Sequence, residues 1–143
     1  MKPTLTLLLT VIITLCATSC TTSDDNPAMT SENVSELASI YGVWEGEGQQ
    51  PGLSWTIKIT VGPEAQRIEY PSLECGGTLT FLQASEGNFL FRETITFNSI
   101  CADQGFIGLL KTSENTLEYN YYFPNAADER GPLGATGQVT KTN

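Results

Sequence analysis

Glu69-Tyr70-Pro71-Ser72-Leu73-Glu74-Cys75-Gly76-Gly77-Thr78-Leu79-Thr80-Phe81, then Phe89-Leu90-Phe91-Arg92-Glu93-Thr94-Ile95-Thr96-Phe97, then Cys101, is the stretch on which the fold turns. Side chains alternate faces along a strand, so Cys75, Gly77, Leu79 and Phe81 share one side of the first run. Phe89, Phe91, Ile95 and Phe97 share one side of the second, and Gly87-Asn88 joins the two as a turn. The pair reads as an antiparallel hairpin with a cysteine near each outer end. Glu93 falls in the middle of the apolar face of the second strand.

Outward from this hairpin the pattern repeats. Val43–Gln49, Leu53–Val61, Gln66–Tyr70, Glu74–Leu82, Asn88–Phe97, Phe106–Thr112, Leu117–Phe123 and Ala135–Thr142 read as strands, separated by turn residues such as Pro51-Gly52 and Gly62-Pro63. In the second of these, Trp55, Ile57, Ile59 and Val61 point one way, and Thr56, Lys58 and Thr60 the other. No long helix fits between them. The fold class is therefore all-β, an up-and-down meander of about eight antiparallel strands. An open sheet of that size would leave two edges and a wet apolar face, so the meander is expected to close into a small barrel. Barrels of this size are ordinarily filled by their own side chains.

Composition narrows the function. Of the 143 residues, seven are Lys or Arg and sixteen Asp or Glu, a formal charge of −9. No basic stripe is available to displace counterions from phosphates, so nucleic acid is excluded as a partner. Electrostatic docking on anionic lipid is disfavoured for the same reason. Histidine is absent. That removes imidazole general acid–base catalysis, the familiar nucleophilic triads and most zinc sites. No cofactor or metal is expected, and no enzymatic activity.

Met1-Lys2, the apolar run Leu5–Leu15, the small residues Ala17-Thr18-Ser19 and then Cys20 resemble a bacterial lipoprotein signal peptide. The resemblance implies that residues 1–19 are removed and that Cys20 is acylated, with palmitate among its chains, to become the mature N-terminus. It implies a membrane contact through that lipid and a cell-envelope location, the outer membrane being the expected one. Ordinary signal-peptide cleavage nearby is the alternative. With Cys16 lost in the signal and Cys20 lipidated, two of the four cysteines remain. Outside the cytoplasm Cys75 and Cys101 most simply form a disulfide. A metal or redox pair would want C-x-x-C spacing, which is absent. Residues 20–40 are polar and read as a tether, with a short helix over Glu32–Ile40 carrying Val34, Leu37 and Ile40 at helical spacing. The β domain is expected to span 41–143.

Gly42-Val43-Trp44 at the head of the first strand is similar to the Gly-x-Trp that opens calycin barrels. The resemblance implies a Trp packed across the barrel floor beneath a basic residue of the last strand, here Lys141. A wider resemblance covers Tyr41 to Lys141. Gly-x-Trp-x-Gly, Tyr70-Pro71, Cys75-Gly76-Gly77-Thr78-Leu79, Arg92-Glu93-x-Ile95, Cys101 and Tyr119 look like a small secreted bacterial β domain found as stand-alone lipoproteins and on receptor-type Ser/Thr kinases. It implies an accessory or sensing role.

Few residues can carry chemistry. A regular strand points Glu93 into the core, where a carboxylate must be protonated or held by donors. Tyr70, Tyr119 and Tyr121 are the candidate donors. Glu93 then either orients a ligand or fixes strand register as a core carboxyl, unless a bulge turns it outward. Glu45, Glu47 and Gln49 merely follow strand alternation and belong on a solvated face. Tyr119, Tyr121, Tyr122 and Phe123 are mostly core, with Tyr122 the exposed exception. The connection Pro124–Gly134, carrying Asn125, Asp128, Glu129 and Arg130, is longer than a hairpin needs and is a candidate recognition loop. The expected function is a membrane-anchored, non-catalytic binding or sensing module for an unknown small molecule, glycan or envelope protein. The alternatives are an envelope-anchored inhibitor of a hydrolase and, less favoured, an enzyme using Glu93.

Overall fold

A computed structural model describes residues 31–142. Within it the chain runs α1 (Ser31–Ala38), β1 (Gly42–Gln50), β2 (Leu53–Val61), β3 (Gln66–Tyr70), a short 3-10 turn (Pro71–Leu73), β4 (Cys75–Ser85), β5 (Asn88–Phe97), β6 (Phe106–Ser113), β7 (Thr116–Pro124) and β8 (Arg130–Thr142). Each strand pairs antiparallel with the next, and β8 returns to pair with β1 from Val43↔Thr142 to Gln49↔Thr136. The meander is a closed barrel, and closure leaves no sheet edge to aggregate.

Alternation places the core where the sequence pattern puts it. Ile57, Ile59 and Val61 on β2, Leu79 on β4, Phe89 and Phe91 on β5, Leu109 on β6, Leu117 on β7 and Val139 on β8 are all buried. The outward residues are polar: Glu45 and Glu47 are exposed, and Glu45 meets its cross-strand neighbour Lys58 at 3.3 Å.

Turns fall alternately at the two ends of such a barrel, and the ends differ. One is plugged. Trp44 is fully buried there, its Nε1 donating to Ile40 O at 2.9 Å, and Lys141 Nζ stands 5.3 Å from the ring centroid. Gly42 has a φ of +145° and leaves the space through which the Lys141 side chain passes, a backbone state that glycine adopts without steric cost. Helix α1 packs on the same end. Leu37 and Ile40 enter the core, and Glu36 Oε1 accepts the Gly87 N–H of the β4–β5 turn at 2.8 Å. The described fold thus includes Ser31–Ala38 as a helix, within the stretch expected to be a tether with a short helix. Val34, expected on the apolar side of this helix, is 40% exposed, whereas Leu37 and, just past the helix, Ile40 are buried.

Three further expectations need correction. Phe97 is 49% exposed rather than inward. Gly76 pairs with Phe97 but Gly77 with Ile95, so Thr96 is an extra residue that flips the strand end, and the Phe97 ring lies over Gly76. The bulge comes after Glu93, which pairs with Leu79 and stays inside. β8 begins at Arg130, not Ala135, so the connection from Pro124 is a short turn rather than a long loop. Asn125 closes it with its own side chain, Oδ1 accepting the N–H groups of Ala127 and Glu129 at 2.9 Å each. Arg92 reaches across to Asp128 Oδ1 at 2.6 Å. Tyr122 is half-buried beneath Arg130, whose guanidinium lies 5.1 Å from its ring centroid, while Phe123 is the exposed member at 42%.

Candidate functional site

The other end of the barrel is open. The β1–β2, β3–β4, β5–β6 and β7–β8 connections frame it, and a cavity of about 580 Å³ descends between them. Its rim and walls include Leu53, Trp55, Leu73, Ile100, Phe123 and Ala135; Tyr70, Glu93, Tyr119 and Tyr121 form its base. A volume of this order suits a small organic ligand.

The rim is held at several points. Ser72 and Thr56 exchange hydrogen bonds, Thr56 N to Ser72 Oγ at 2.9 Å and Ser72 N to Thr56 Oγ1 at 3.0 Å, which fixes the 3-10 turn and Leu73 against β2. The Cys75–Cys101 disulfide, with Cα atoms 6.3 Å apart, ties the β5–β6 connection to the start of β4 and so positions Ile100 and Ala102. Asp103 Oδ1 accepts the N–H groups of Ile95 at 2.8 Å and Gln104 at 2.7 Å. These hydrogen bonds, the one from Ile95 first, hold its carboxyl below the ordinary value. Gly105 N-terminal to β6 leaves the place that the Tyr121 ring fills.

At the base, Glu93 is fully buried. Tyr70 Oη donates to Glu93 Oε1 at 2.7 Å, and the Tyr70 and Tyr119 hydroxyl oxygens stand 3.2 Å apart. Since the single proton of Tyr70 is committed to Glu93, Tyr119 donates to Tyr70. The relay Tyr119–Tyr70–Glu93 thus joins β7, β3 and β5 across the barrel. Tyr121, the third expected donor, makes no hydrogen bond to Glu93. Its hydroxyl is unpartnered, as are Glu93 Oε2 and Trp55 Nε1. All three residues line the cavity.

Burial dominates the electrostatics. It raises the Glu93 carboxyl from 4.5 to about 7; the Tyr70 hydrogen bond opposes the rise and the charge of Asp103 adds to it. Burial also raises Tyr70 and Tyr119 well above the phenolic range, and takes Tyr121 to about 12. All three tyrosines are therefore neutral near pH 7, and Glu93 keeps its proton to a higher pH than an ordinary carboxyl. Such a base can hydrogen-bond and, with Glu93 ionised, present one negative charge in an apolar well. Among the described residues no group of three or more Cys, Asp or Glu side chains is placed to hold a metal ion.

The structure gathers Tyr70, Glu93, Tyr119 and Tyr121 into one place. The turn with Asn125, Asp128 and Glu129 lies at the same end, and Arg130 opens β8 beside it. Cys20 and the signal segment lie outside the described residues. Trp55, Leu53, Leu73, Ile100 and Ala135 were not among the expected site residues. The alternation of β2 pointed Trp55 inward, but nothing in that pattern says how far up the barrel the packed core extends.

Fold and site together define a small closed meander barrel, plugged at one end, with an aromatic, carboxyl-floored pocket at the other. Comparison with protein-family models, curated proteins and solved structures gives no match to this chain.

Proposed function

We propose that this chain is a membrane-anchored bacterial lipoprotein of the cell envelope whose barrel is a non-catalytic binding or sensing module for a small molecule. Lipidation at Cys20, and outer-membrane residence, are carried by the signal-like N-terminus. The observation that supports binding is the pocket itself, about 580 Å³ in a barrel of a size usually filled, with three buried polar atoms left without partners on its lining residues. Unsatisfied buried polar groups are rare in folded proteins and mark places where something else supplies the partner.

The inhibitor reading has less support, since it wants a protruding loop and the β7–β8 turn is folded on itself. The catalytic reading has less support: the hydroxyl beside Glu93 is that of Tyr70, which burial holds well above the ordinary phenolic range, and Ser72 on the pocket lining is engaged with Thr56. Titration with N-phenyl-1-naphthylamine, a neutral apolar fluorophore, tests the pocket. Fluorescence should rise saturably with the wild type and not with Ala135→Trp, which fills the cavity. An unchanged signal in that variant would move binding elsewhere.

A further inference from the structure

The pocket has an acid at its base and no base on its walls. Its lining includes one carboxyl, Glu93, and no lysine or arginine. Arg92, next in sequence, points to the outside, where it is taken up by Asp128 and lies 4.5 Å from the Phe106 ring centroid. The groups that face or act on Glu93 are Tyr70 from β3, Tyr119 and Tyr121 from β7, and Asp103 from the β5–β6 connection. The tyrosines are neutral and Asp103 is an anion, so among the described residues no cation is placed to balance the carboxylate.

Five aromatic rings line the pocket, those of Tyr70, Tyr119 and Tyr121 at its base with the acid and those of Trp55 and Phe123 higher up. Tyr121 and Phe123 meet edge to face with centroids 5.3 Å apart, and so present a corner rather than a flat wall. Aromatic faces attract cations through their quadrupoles, most strongly where water is excluded. A buried carboxylate without a partner is costly and is relieved by an opposite charge. Leu53, Leu73, Ile100 and Ala135 supply apolar contact farther out. We propose that the pocket takes an organic ammonium with an apolar body, its nitrogen directed at the unpartnered Glu93 Oε2 and its hydrocarbon part along the rim. The reverse polarity, a carboxylate head as in a fatty acid, would set two anions together. This inference rests on the pocket being the binding site.

Three ligands with the same tail and different heads separate the two ideas: octylammonium, 1-octanol and octanoate, titrated calorimetrically into the purified protein at pH 8. Octylammonium should bind at least about tenfold more tightly than octanol, the gain of one charge-assisted hydrogen bond, and octanoate should be the weakest. Glu93→Gln should remove the ammonium preference, bringing octylammonium to within about threefold of octanol in that variant, a margin below 1 kcal/mol. At pH 6, where Glu93 carries its proton in most molecules, octylammonium binding should release a proton, seen as an enthalpy that depends on the buffer; octanol should release none. Octanoate binding as tightly as octylammonium, or an ammonium preference that survives Glu93→Gln, would overturn the ammonium assignment and leave the pocket standing as a site. Failure of all three to bind would overturn both.

Discussion

Replacing Glu93 by Gln should stabilise the protein at pH 8 and do little at pH 4. Both states hold the carboxyl protonated at pH 4, and Gln preserves its shape and an oxygen that accepts the Tyr70 hydroxyl. Burial raises the folded-state value from 4.5 to about 7. Between these values the unfolded chain ionises Glu93 while the folded chain still binds its proton. The associated stability is therefore fully present below pH 4.5 and is lost as pH rises through about 7. At about 1.4 kcal/mol per pH unit, the loss over that interval amounts to about 3 kcal/mol. Gln does not titrate, so its advantage over the wild type should grow across the same window and level off above it. Urea melts of both proteins between pH 4 and 8.5 measure the difference, and all other titrating groups cancel in the comparison. Glu93→Ala, which leaves the Tyr70 hydroxyl without its acceptor, should instead cost about 1–3 kcal/mol at acid pH. A difference between Gln and wild type that stays flat with pH would refute the reasoning. So would a Gln variant that weakens progressively as pH rises, the signature of a carboxylate held ionised by its donors.

Cys75→Ser and Cys101→Ser should each cost about 3 kcal/mol through the closure entropy of the loop between them, and the double variant should melt no lower than the worse single one; scanning calorimetry decides. Cys20→Ala should abolish partition of the protein into detergent, and a wild-type protein found fully soluble, starting at another residue, would refute lipidation there. Lys141→Met keeps the stem over Trp44 but removes its charge, so it should cost about 1 kcal/mol in chemical denaturation; no loss would mean that only the stem matters. Arg92→Ala should speed hydrogen exchange at Ala127 and Glu129 with a stability loss of about 1 kcal/mol or less, because the paired Asp128 is exposed. Unchanged exchange there would show that Asn125 alone holds the turn.

The period-2 pattern made the fold legible. β2, β3 and β5 begin and end where the alternating runs do, and closure follows from the burial of one face on every strand. What the pattern misses are departures from strict alternation. The single extra residue Thr96 reverses Phe97 without any signature beyond the paired glycines Gly76-Gly77 opposite. The turn at Asn125–Glu129 looked like part of a long loop because Gly131, Pro132 and Gly134 are poor strand formers, yet they lie in β8, where the pairing of Arg130, Leu133 and Ala135 with β7 overrides local preference. The core of the site was legible through one anomaly, an acid on an apolar face, and the same alternation brought Tyr70, Tyr119 and Tyr121 toward it. The pocket was not. Whether a barrel is filled depends on how side chains from eight strands meet at each level, and a linear pattern of apolar residues carries no such heights.

The two tryptophans report on the two ends of the barrel and test the account most directly. Trp55 lines the pocket with its indole N–H unpartnered. Trp44 is fully buried in the plugged end with its N–H on Ile40 O. In a nitrogen–proton correlation spectrum the two indole resonances can be followed as 1-octanol is added. The Trp55 resonance should shift saturably and that of Trp44 should stay in place. A shift of Trp44 equal to that of Trp55, or no shift of either at saturating octanol, would contradict a ligand site confined to the open end.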